Sequence, residues 1–210
     1  ERRGLPFVRY ADDSMIFCKS KRAAMRVKES ITRFIENTLY LKVNKDKTVV
    51  SYVRGVKYLG YSFYVMKGKC QLTVHPKSKA KMKSRLKELT SRSNGWGYAK
   101  RKQKLKEYIR GWVGYYHLAN MKRLLLETDE WLRRRIRMCI WKAWKKAKTK
   151  VANLIICGIN KCQAYEWGNT RKGYWRIAES PILKRAIDNN KLRSAGYVTL
   201  MEVYLEWYPK

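Results

Sequence analysis

Residues 7–17 read FVRYADDSMIF, and this stretch decides the fold because two short apolar runs flank a polar turn at Ala11-Asp12-Asp13. The pattern predicts two β-strands joined by a tight turn. Two adjacent carboxylates repel each other, and burial makes their ionisation costly. A Mg²⁺ ion relieves both problems, since it binds one or two carboxylates together with phosphate oxygens and water. On its own the acidic pair has two interpretations: a metal-binding turn, or a solvated turn of an ordinary hairpin.

The sequence around this stretch, as far as residue 75, predicts an α+β unit. From residue 21 to about residue 38, apolar positions recur at steps of three and four, a period that is typical of an amphipathic helix. Three further runs are rich in Val, Tyr and Thr, and we expect them to form antiparallel strands: residues 47–52, 57–66 and 70–74.

Beyond residue 75 the sequence predicts helices. Basic residues occupy every second position from 77 to 87, which is a period typical of a strand. However, residues 77–89 contain no β-branched residue, and their apolar positions fit a helical stripe: Met82, Leu86 and Leu89. We therefore expect a helix there. Further helices are expected at 99–119 and 121–148, the second broken near Thr128-Asp129, and short helical pieces follow to residue 210.

The charge of the chain indicates a polyanionic partner. Its 210 residues include 49 Lys plus Arg and 16 Asp plus Glu, which gives a net charge of +33. Hydrophobic residues make up 45% of the chain, which is enough for a core and excludes wholesale disorder. Because no run of about 18 apolar residues occurs, we favour nucleic acid over a membrane as the partner.

The cysteines favour a reducing compartment. There are five of them, scattered and without a CxxC pair, so we expect free thiols and a cytoplasmic location. Cys157 and Cys162 lack a second pair of ligands, and we therefore expect no zinc site. The chain opens at Glu1 within what reads as the middle of a sheet, and we interpret it as the downstream part of a longer protein.

Four ordered motifs resemble the reverse transcriptases of group II introns. The YADD of residues 10–13 resembles the YxDD signature of the reverse transcriptase palm. The other motifs are LKVNKDKT at 41–48, similar to the segment after the palm helix, YLGY at 58–61, similar to the primer grip, and YIRGWVGYY at 108–116 with WLRRRIR at 131–137, similar to the thumb. On these motifs the chain is identified as a member of the group II intron reverse transcriptase/maturase family.

The resemblance implies a catalytic site. Asp12 and Asp13 are then palm carboxylates that bind two Mg²⁺ ions, with Asp12 as the bridging ligand. Lys47 is then the general acid that protonates departing pyrophosphate, although a surface lysine is an equally good interpretation. The resemblance also implies residues beside the incoming nucleotide and the primer: Tyr10, Ala11, Leu59, Gly60 and Tyr61.

Two basic clusters predict the nucleic-acid interface. Residues 77–110 contain 13 basic residues against two acids, and residues 131–150 contain nine basic residues against none. Each phosphate that they neutralise releases counterions, so we expect strongly salt-dependent binding. The candidates are Lys77, Lys79, Lys81, Lys83, Arg85, Lys100, Arg101, Lys104, Arg110, Arg133, Arg134, Arg137, Lys142, Lys145 and Lys146, with Trp96 as an aromatic contact in a loop.

The resemblance implies an α+β fold: a right-hand polymerase palm fragment of antiparallel strands plus a helix (1–75), a helical thumb or maturase domain (76–148) and a small helical C-terminal nucleic-acid-binding region (149–210). The implied activity is RNA-directed DNA synthesis by two-metal nucleotidyl transfer from dNTPs, on an RNA template with a DNA primer. Binding of group II intron RNA for splicing and of target DNA for mobility is implied as well.

The family also needs fingers and a first palm carboxylate, neither of which lies in this sequence. We therefore expect the 210-residue chain to be inactive alone, and another chain is one candidate source of the other parts. The main alternative is an RNA-binding splicing maturase without polymerase activity. A second alternative is a reverse transcriptase outside introns, such as a retron or defence enzyme. The residues of the thumb motif disfavour it.

Overall fold

The computed structural model describes residues 4–207. The chain divides into two compact units at the junction between His75 and Pro76. The division coincides with the change from strand-forming to helix-forming sequence, because Pro76 is the first residue of a helix, where its missing amide hydrogen costs nothing.

The first unit contains two antiparallel hairpins and one long helix. Strand β1 (Phe7–Tyr10) pairs with β2 (Asp13–Ile16), and β3 (Tyr61–Met66) pairs with β4 (Lys69–Val74). Helix α1 (Lys21–Asn37) begins after Ser20, whose hydroxyl accepts a hydrogen bond from the amide of Ala23 at 3.2 Å. The predicted hairpin around the acidic pair, the amphipathic helix and the α+β class are confirmed.

The prediction of a strand over residues 47–52 is wrong. The side-chain oxygen of Asn44 accepts a hydrogen bond from the amide of Lys47 at 3.1 Å, and its carbonyl accepts from the amide of Thr48 at 3.0 Å. These bonds close a turn, since a short polar side chain offers the backbone an alternative to a β-ladder. A 3₁₀ helix, Val53–Gly55, follows it.

The second unit is helical as far as residue 207, which confirms the prediction for this part of the chain. Its helices are α2 (Pro76–Leu89), α3 (Tyr98–Tyr116), α4 (Lys122–Ala143), α5 (Ala147–Ile156), α6 (Lys161–Gly168), α7 (Tyr174–Ile177), α8 (Pro181–Ala186), α9 (Asn189–Ser194) and α10 (Leu200–Trp207). In α2 the apolar stripe Met82, Leu86 and Leu89 is buried, and the alternating basic residues do not form a strand.

The prediction of a helix break near Thr128-Asp129 is wrong, because α4 continues through both residues. The hydroxyl of Thr128 donates back to the carbonyl of Leu124 at 2.7 Å, as threonine often does inside a helix. Asp129 does cap a helix, but a distant one: its carboxylate accepts hydrogen bonds from the amides of Leu200 and Met201 at 2.9 Å each, at the start of α10.

The elements after residue 148 pack on the helices before it. Helix α10 contacts α3 and α4, and α7 contacts α4. Arg137 of α4 donates to the carbonyl of Ile187 at 2.8 Å and to the side-chain oxygen of Asn189 at 3.0 Å. A boundary between separate domains at residue 148 stays a prediction. No helix within residues 4–207 is long and apolar enough to cross a bilayer.

Candidate functional site

The acidic turn lies at the tip of the first hairpin. Tyr10 pairs with Asp13, so Ala11 and Asp12 alone connect the two strands. Ala11 has a left-handed backbone, with φ of 48°, and its carbonyl accepts a hydrogen bond from Nε of Arg9 at 3.0 Å. A left-handed conformation costs a residue with a Cβ roughly 1–2 kcal/mol, and the small alanine side chain limits crowding there. The turn therefore presents two adjacent, exposed carboxylates to solvent.

The donors of this turn fit magnesium. Carboxylate oxygens are hard ligands, and Mg²⁺ commonly takes one or two of them while phosphate oxygens and water complete its shell. Within residues 4–207 no three His, Cys, Asp or Glu side chains come together as a metal-binding group. Asp12 and Asp13 could therefore offer two carboxylates to such an ion.

A second tight turn holds the predicted primer-grip residues. Leu59 and Gly60 are both left-handed, with φ of 50° and 81°. Tyr58 and Tyr61 exchange backbone hydrogen bonds across them, at 3.1 and 2.9 Å. Two successive left-handed residues are typical of the type I′ hairpin turn, in which Gly60 takes up its conformation at no steric cost. The carbonyl of Gly60 also accepts from the amide of His75 at 3.0 Å.

Lys47 lies in a different turn of the first unit. Its side chain is exposed, and its backbone amide is held by Asn44 at 3.1 Å. A flexible lysine on an ordered turn is free to bring a proton to a phosphate oxygen. Its role as a general acid stays a prediction.

Many of the predicted nucleic-acid contacts lie on the surface of the second unit. The exposed ones are Lys77, Lys81, Lys83, Arg85, Lys100, Lys104, Arg110, Lys145 and Lys146. Others are half-buried: Lys79, Arg133 and Lys142. Some cations have acidic partners: Arg85 with Glu88 at 2.7 Å, Lys104 with Glu107 at 2.9 Å, and Arg110 with Glu206 at 3.8 Å. Such exposed pairs are weak, so these cations remain available to phosphates.

Two predicted contacts lie in the interior. Arg101 is 5% exposed and Arg137 is 6% exposed. Arg101 donates to the side-chain oxygen of Asn94 at 3.0 Å, and Arg137 donates to the carbonyl of Ile187 and to Asn189. Burial, with a smaller effect of the neighbouring charge of Arg133, lowers the pKa of Arg137, and the carboxylates of Glu179 and Asp188 offset this in part. Since both guanidinium groups are buried and donate to acceptors within the protein, we exclude both arginines from the proposed nucleic-acid interface.

The burial of Arg101 could be predicted from the spacing of apolar residues in the sequence. Arg101 precedes Leu105 and Ile109 by four and eight positions, so it lies on the apolar stripe of α3. Arg137 carries no comparable local signal, because its acceptors belong to residues 50 and 52 positions away.

Arginines of the WLRRRIR motif also connect elements within the second unit. Arg135 donates to the hydroxyl of Thr90 at 2.6 Å and to the carbonyls of Lys87 and Thr90 at 3.0 Å each, at the end of α2. Arg134 donates to the carbonyl of Trp175 at 3.0 Å and pairs with Glu179 at 3.3 Å. The motif therefore supplies structural bonds as well as positive charge.

Trp96 lies in the loop between α2 and α3. Its ring is half-buried, and the ammonium of Lys100 lies 5.4 Å from its centroid. The amide of Trp96 donates to the side-chain oxygen of Asn94 at 3.2 Å, the same oxygen that accepts from Arg101. The side chain of Asn94 therefore connects the loop backbone to Arg101 of α3. A nucleic-acid contact by Trp96 stays a prediction.

Two family models match the chain. Residues 1–63, which include the hairpin turn of Asp12 and Asp13, match the model described as reverse transcriptase (RNA-dependent DNA polymerase). Residues 79–155 match the model of the group II intron maturase-specific domain. With both in this order, the chain belongs to the group II intron reverse transcriptase/maturase family. No curated protein matches it.

Proposed function

We propose that this protein acts in RNA-directed DNA synthesis by two-metal nucleotidyl transfer and binds group II intron RNA to assist splicing and mobility. The observation that carries the proposal is the exposed Asp12-Asp13 pair at the tip of a paired hairpin. A turn that only faces solvent does not require two adjacent carboxylates. A site for Mg²⁺ ions that bind phosphates does require carboxylate ligands.

The proposed roles are those that the family resemblance implies for these side chains. Asp12 and Asp13 would hold magnesium, and magnesium would favour ionisation of the primer hydroxyl and offset charge on the leaving phosphate. Tyr10 and Ala11 lie beside the incoming dNTP, where the small Ala11 leaves room for its sugar. Lys47 donates a proton to the pyrophosphate oxygen that leaves.

The template and primer are bound by both units. We infer that the turn of Leu59, Gly60 and Tyr61 contacts the primer backbone, because backbone approaches closely where a glycine replaces a side chain. The exposed cations of the two basic clusters, residues 77–110 and 131–150, bind phosphates of the RNA–DNA duplex, of intron RNA and of target DNA. The cysteines within residues 4–207 are free thiols, which supports a cytoplasmic location.

A further polypeptide segment completes the site. The family's fingers and first palm carboxylate are not supplied by residues 4–207. Among these residues, the acidic pair has no third metal-binding partner. The first unit has apolar surface for such a segment: no residue of α1 is buried although its sequence is amphipathic, and Phe7, Val8 and Phe34 are exposed. The segment is provided either by the natural chain upstream or by another chain.

The test is primer extension on an RNA template with Mg²⁺, comparing the 210-residue chain with a version extended upstream by its natural sequence. We expect cDNA from the extended version, none from its Asp12→Asn variant, and salt-sensitive RNA binding by all of them. Synthesis that survives in Asp12→Asn contradicts the proposed site. Tight RNA binding and splicing assistance without synthesis in any version favours the alternative, a maturase that only binds RNA.

A further inference from the structure

Trp175 has an exposed indole ring whose position is fixed from one side. The guanidinium carbon of Arg134 lies 3.8 Å from the ring centroid, which is stacking distance. Arg134 also donates to the carbonyl of Trp175, from Nη2 at 3.0 Å and from Nε at 3.3 Å, and pairs with Glu179. The arginine is therefore itself fixed in orientation, and it covers one face of the ring. Trp175 is nevertheless 39% exposed, so part of the residue stays accessible to a ligand beside the arginine.

The element that carries Trp175 is rigid. Its neighbour Tyr174 packs against Met138, Cys139 and Ala178, a buried apolar cluster between α4 and the end of α7. Gly173 and Ala178 flank α7 on either side, and the amide of Ala178 donates to the carbonyl of Tyr174 at 3.1 Å. A flat aromatic surface on a fixed element loses little conformational entropy when a planar ligand stacks on it.

The surroundings of this ring are positive. Residues 167–178, WGNTRKGYWRIA, contain no acid, and Arg171, Lys172 and Arg176 are exposed. Two further rings in the segment have cations over them: Arg92 lies 5.1 Å from the centroid of Tyr174, and Lys172 lies 4.7 Å from that of Trp167. Aromatic rings interleaved with cations are the composition that binds unpaired nucleotides, since the rings stack on bases and the cations neutralise phosphates.

We propose that Trp175 is a stacking platform for one unpaired nucleobase of a bound RNA or DNA strand, with Arg134 as the residue that positions the ring. The proposal rests on the proposed function only in requiring that the protein bind nucleic acid. Other tryptophans fit less well: Trp96 is half-buried beneath Lys100, and the ring of Trp207 lies 5.8 Å from that of His117 beside the acidic Glu206.

The test measures binding of the full chain to fluorescently labelled oligonucleotides of about ten nucleotides, a length within the usual range of single-strand sites. The probes are a single-stranded RNA, the DNA of the same sequence, an abasic DNA backbone of equal length and a blunt duplex. We expect Trp175→Ala to weaken the preferred single strand roughly 5- to 150-fold, the range for one stacked base. We expect Trp175→Phe to restore most of that affinity, because phenylalanine keeps a stacking face.

The controls separate stacking from charge and from folding. Binding of the abasic backbone and of the duplex should not change in Trp175→Ala, and the salt dependence should stay the same because stacking releases no counterions. Trp207→Ala is the matched control, since it removes another exposed tryptophan ring, and we expect it to bind like the wild type. The RNA and DNA probes show which strand provides the base.

Each remaining outcome overturns a different statement. Equal affinity of Trp175→Ala and the wild type for both single strands overturns the platform and leaves the proposed function intact. Equal weakening on all four probes means that the ring only holds Arg134 in place, which also overturns it. A wild-type chain that binds none of the probes contradicts the proposed function itself.

Discussion

Oδ1 of Asp129 lies 2.9 Å from the backbone nitrogen of Leu200, 71 residues further along the chain. Its second oxygen accepts from the amide of Met201 at 2.9 Å. A helix leaves its first amides without intrahelical partners, and a carboxylate at that end satisfies two of them. Asp129 thus connects the middle of α4 to the start of α10.

Replacement of Asp129 by alanine should destabilise the protein. The change leaves two amides at the start of α10 without their acceptor, and Leu200 is buried. We expect a loss of roughly 2 kcal/mol in the free energy of unfolding, measured by urea denaturation. Glu130→Ala is the control because Glu130 is the exposed neighbour on the same helix. If the two variants are equally stable, the cap contributes nothing.

A second prediction concerns Tyr197, whose hydroxyl is buried and has no hydrogen-bond partner within residues 4–207. A buried polar group without a partner is destabilising, so its removal is favourable. We expect Tyr197→Phe to raise the free energy of unfolding by about 1 kcal/mol, measured by urea denaturation. A loss of stability in this variant would mean that an ordered water bonds the hydroxyl, for instance one shared with the buried Nε of Arg101.

The same residue predicts a loss of stability at high pH. Burial raises the pKa of Tyr197 from 10.0 to about 12. Between these values the folded protein keeps a proton that the unfolded chain releases, so the free energy of unfolding falls as the pH rises from 10 to 12. In Tyr197→Phe this contribution is absent, and its advantage over the wild type should grow across that interval. An advantage that is constant with pH would contradict the raised pKa.

The exposed cations of the two basic clusters should contribute to RNA binding, whereas the buried Arg101 and Arg137 should not. We expect the double variant Lys81→Gln, Lys145→Gln to keep its stability, since both side chains are exposed, and to lower the slope of log affinity against log salt by about 2. The measurement is a salt titration with a fluorescent RNA duplex. Arg123→Gln, which removes an exposed cation outside both clusters, is the control and should leave the slope unchanged.

The features that could be predicted from the sequence are those whose causes are local. The hairpin of Tyr10 and Asp13 and the stripe of α2 depend on residues within a few positions, so periodicity and turn residues were sufficient. Asp129 and Arg137 have local sequences typical of a helix cap and of a basic surface, but their partners lie 50 or more positions away. Such pairings arise only from tertiary packing, which a one-dimensional pattern does not contain.

The same limit applies to the candidate site. Asp12 and Asp13 could be named as candidates from the sequence because the YADD of residues 10–13 resembles a known signature, whereas the acidic pair alone left two interpretations open. Trp175 is one of eight tryptophans, and nothing in the sequence distinguishes it from the others. What distinguishes it is the guanidinium of Arg134, 41 positions away, which donates to its carbonyl and covers one face of its ring.

The packing of α5 against α6 predicts opposite effects for two glycines. A Cβ on Gly168 would lie 2.5 Å from Cγ2 of Val151 and 3.2 Å from its backbone nitrogen, so alanine there must push the helices apart. We expect Gly168→Ala to lower the free energy of unfolding by about 1–3 kcal/mol, as overpacking does. Gly111 is exposed in α3 with open space around it, and alanine should stabilise that helix by about 1 kcal/mol. Urea denaturation of both variants measures the difference, and a Gly168→Ala variant that is as stable as the wild type or more stable would show that α5 and α6 do not pack this closely.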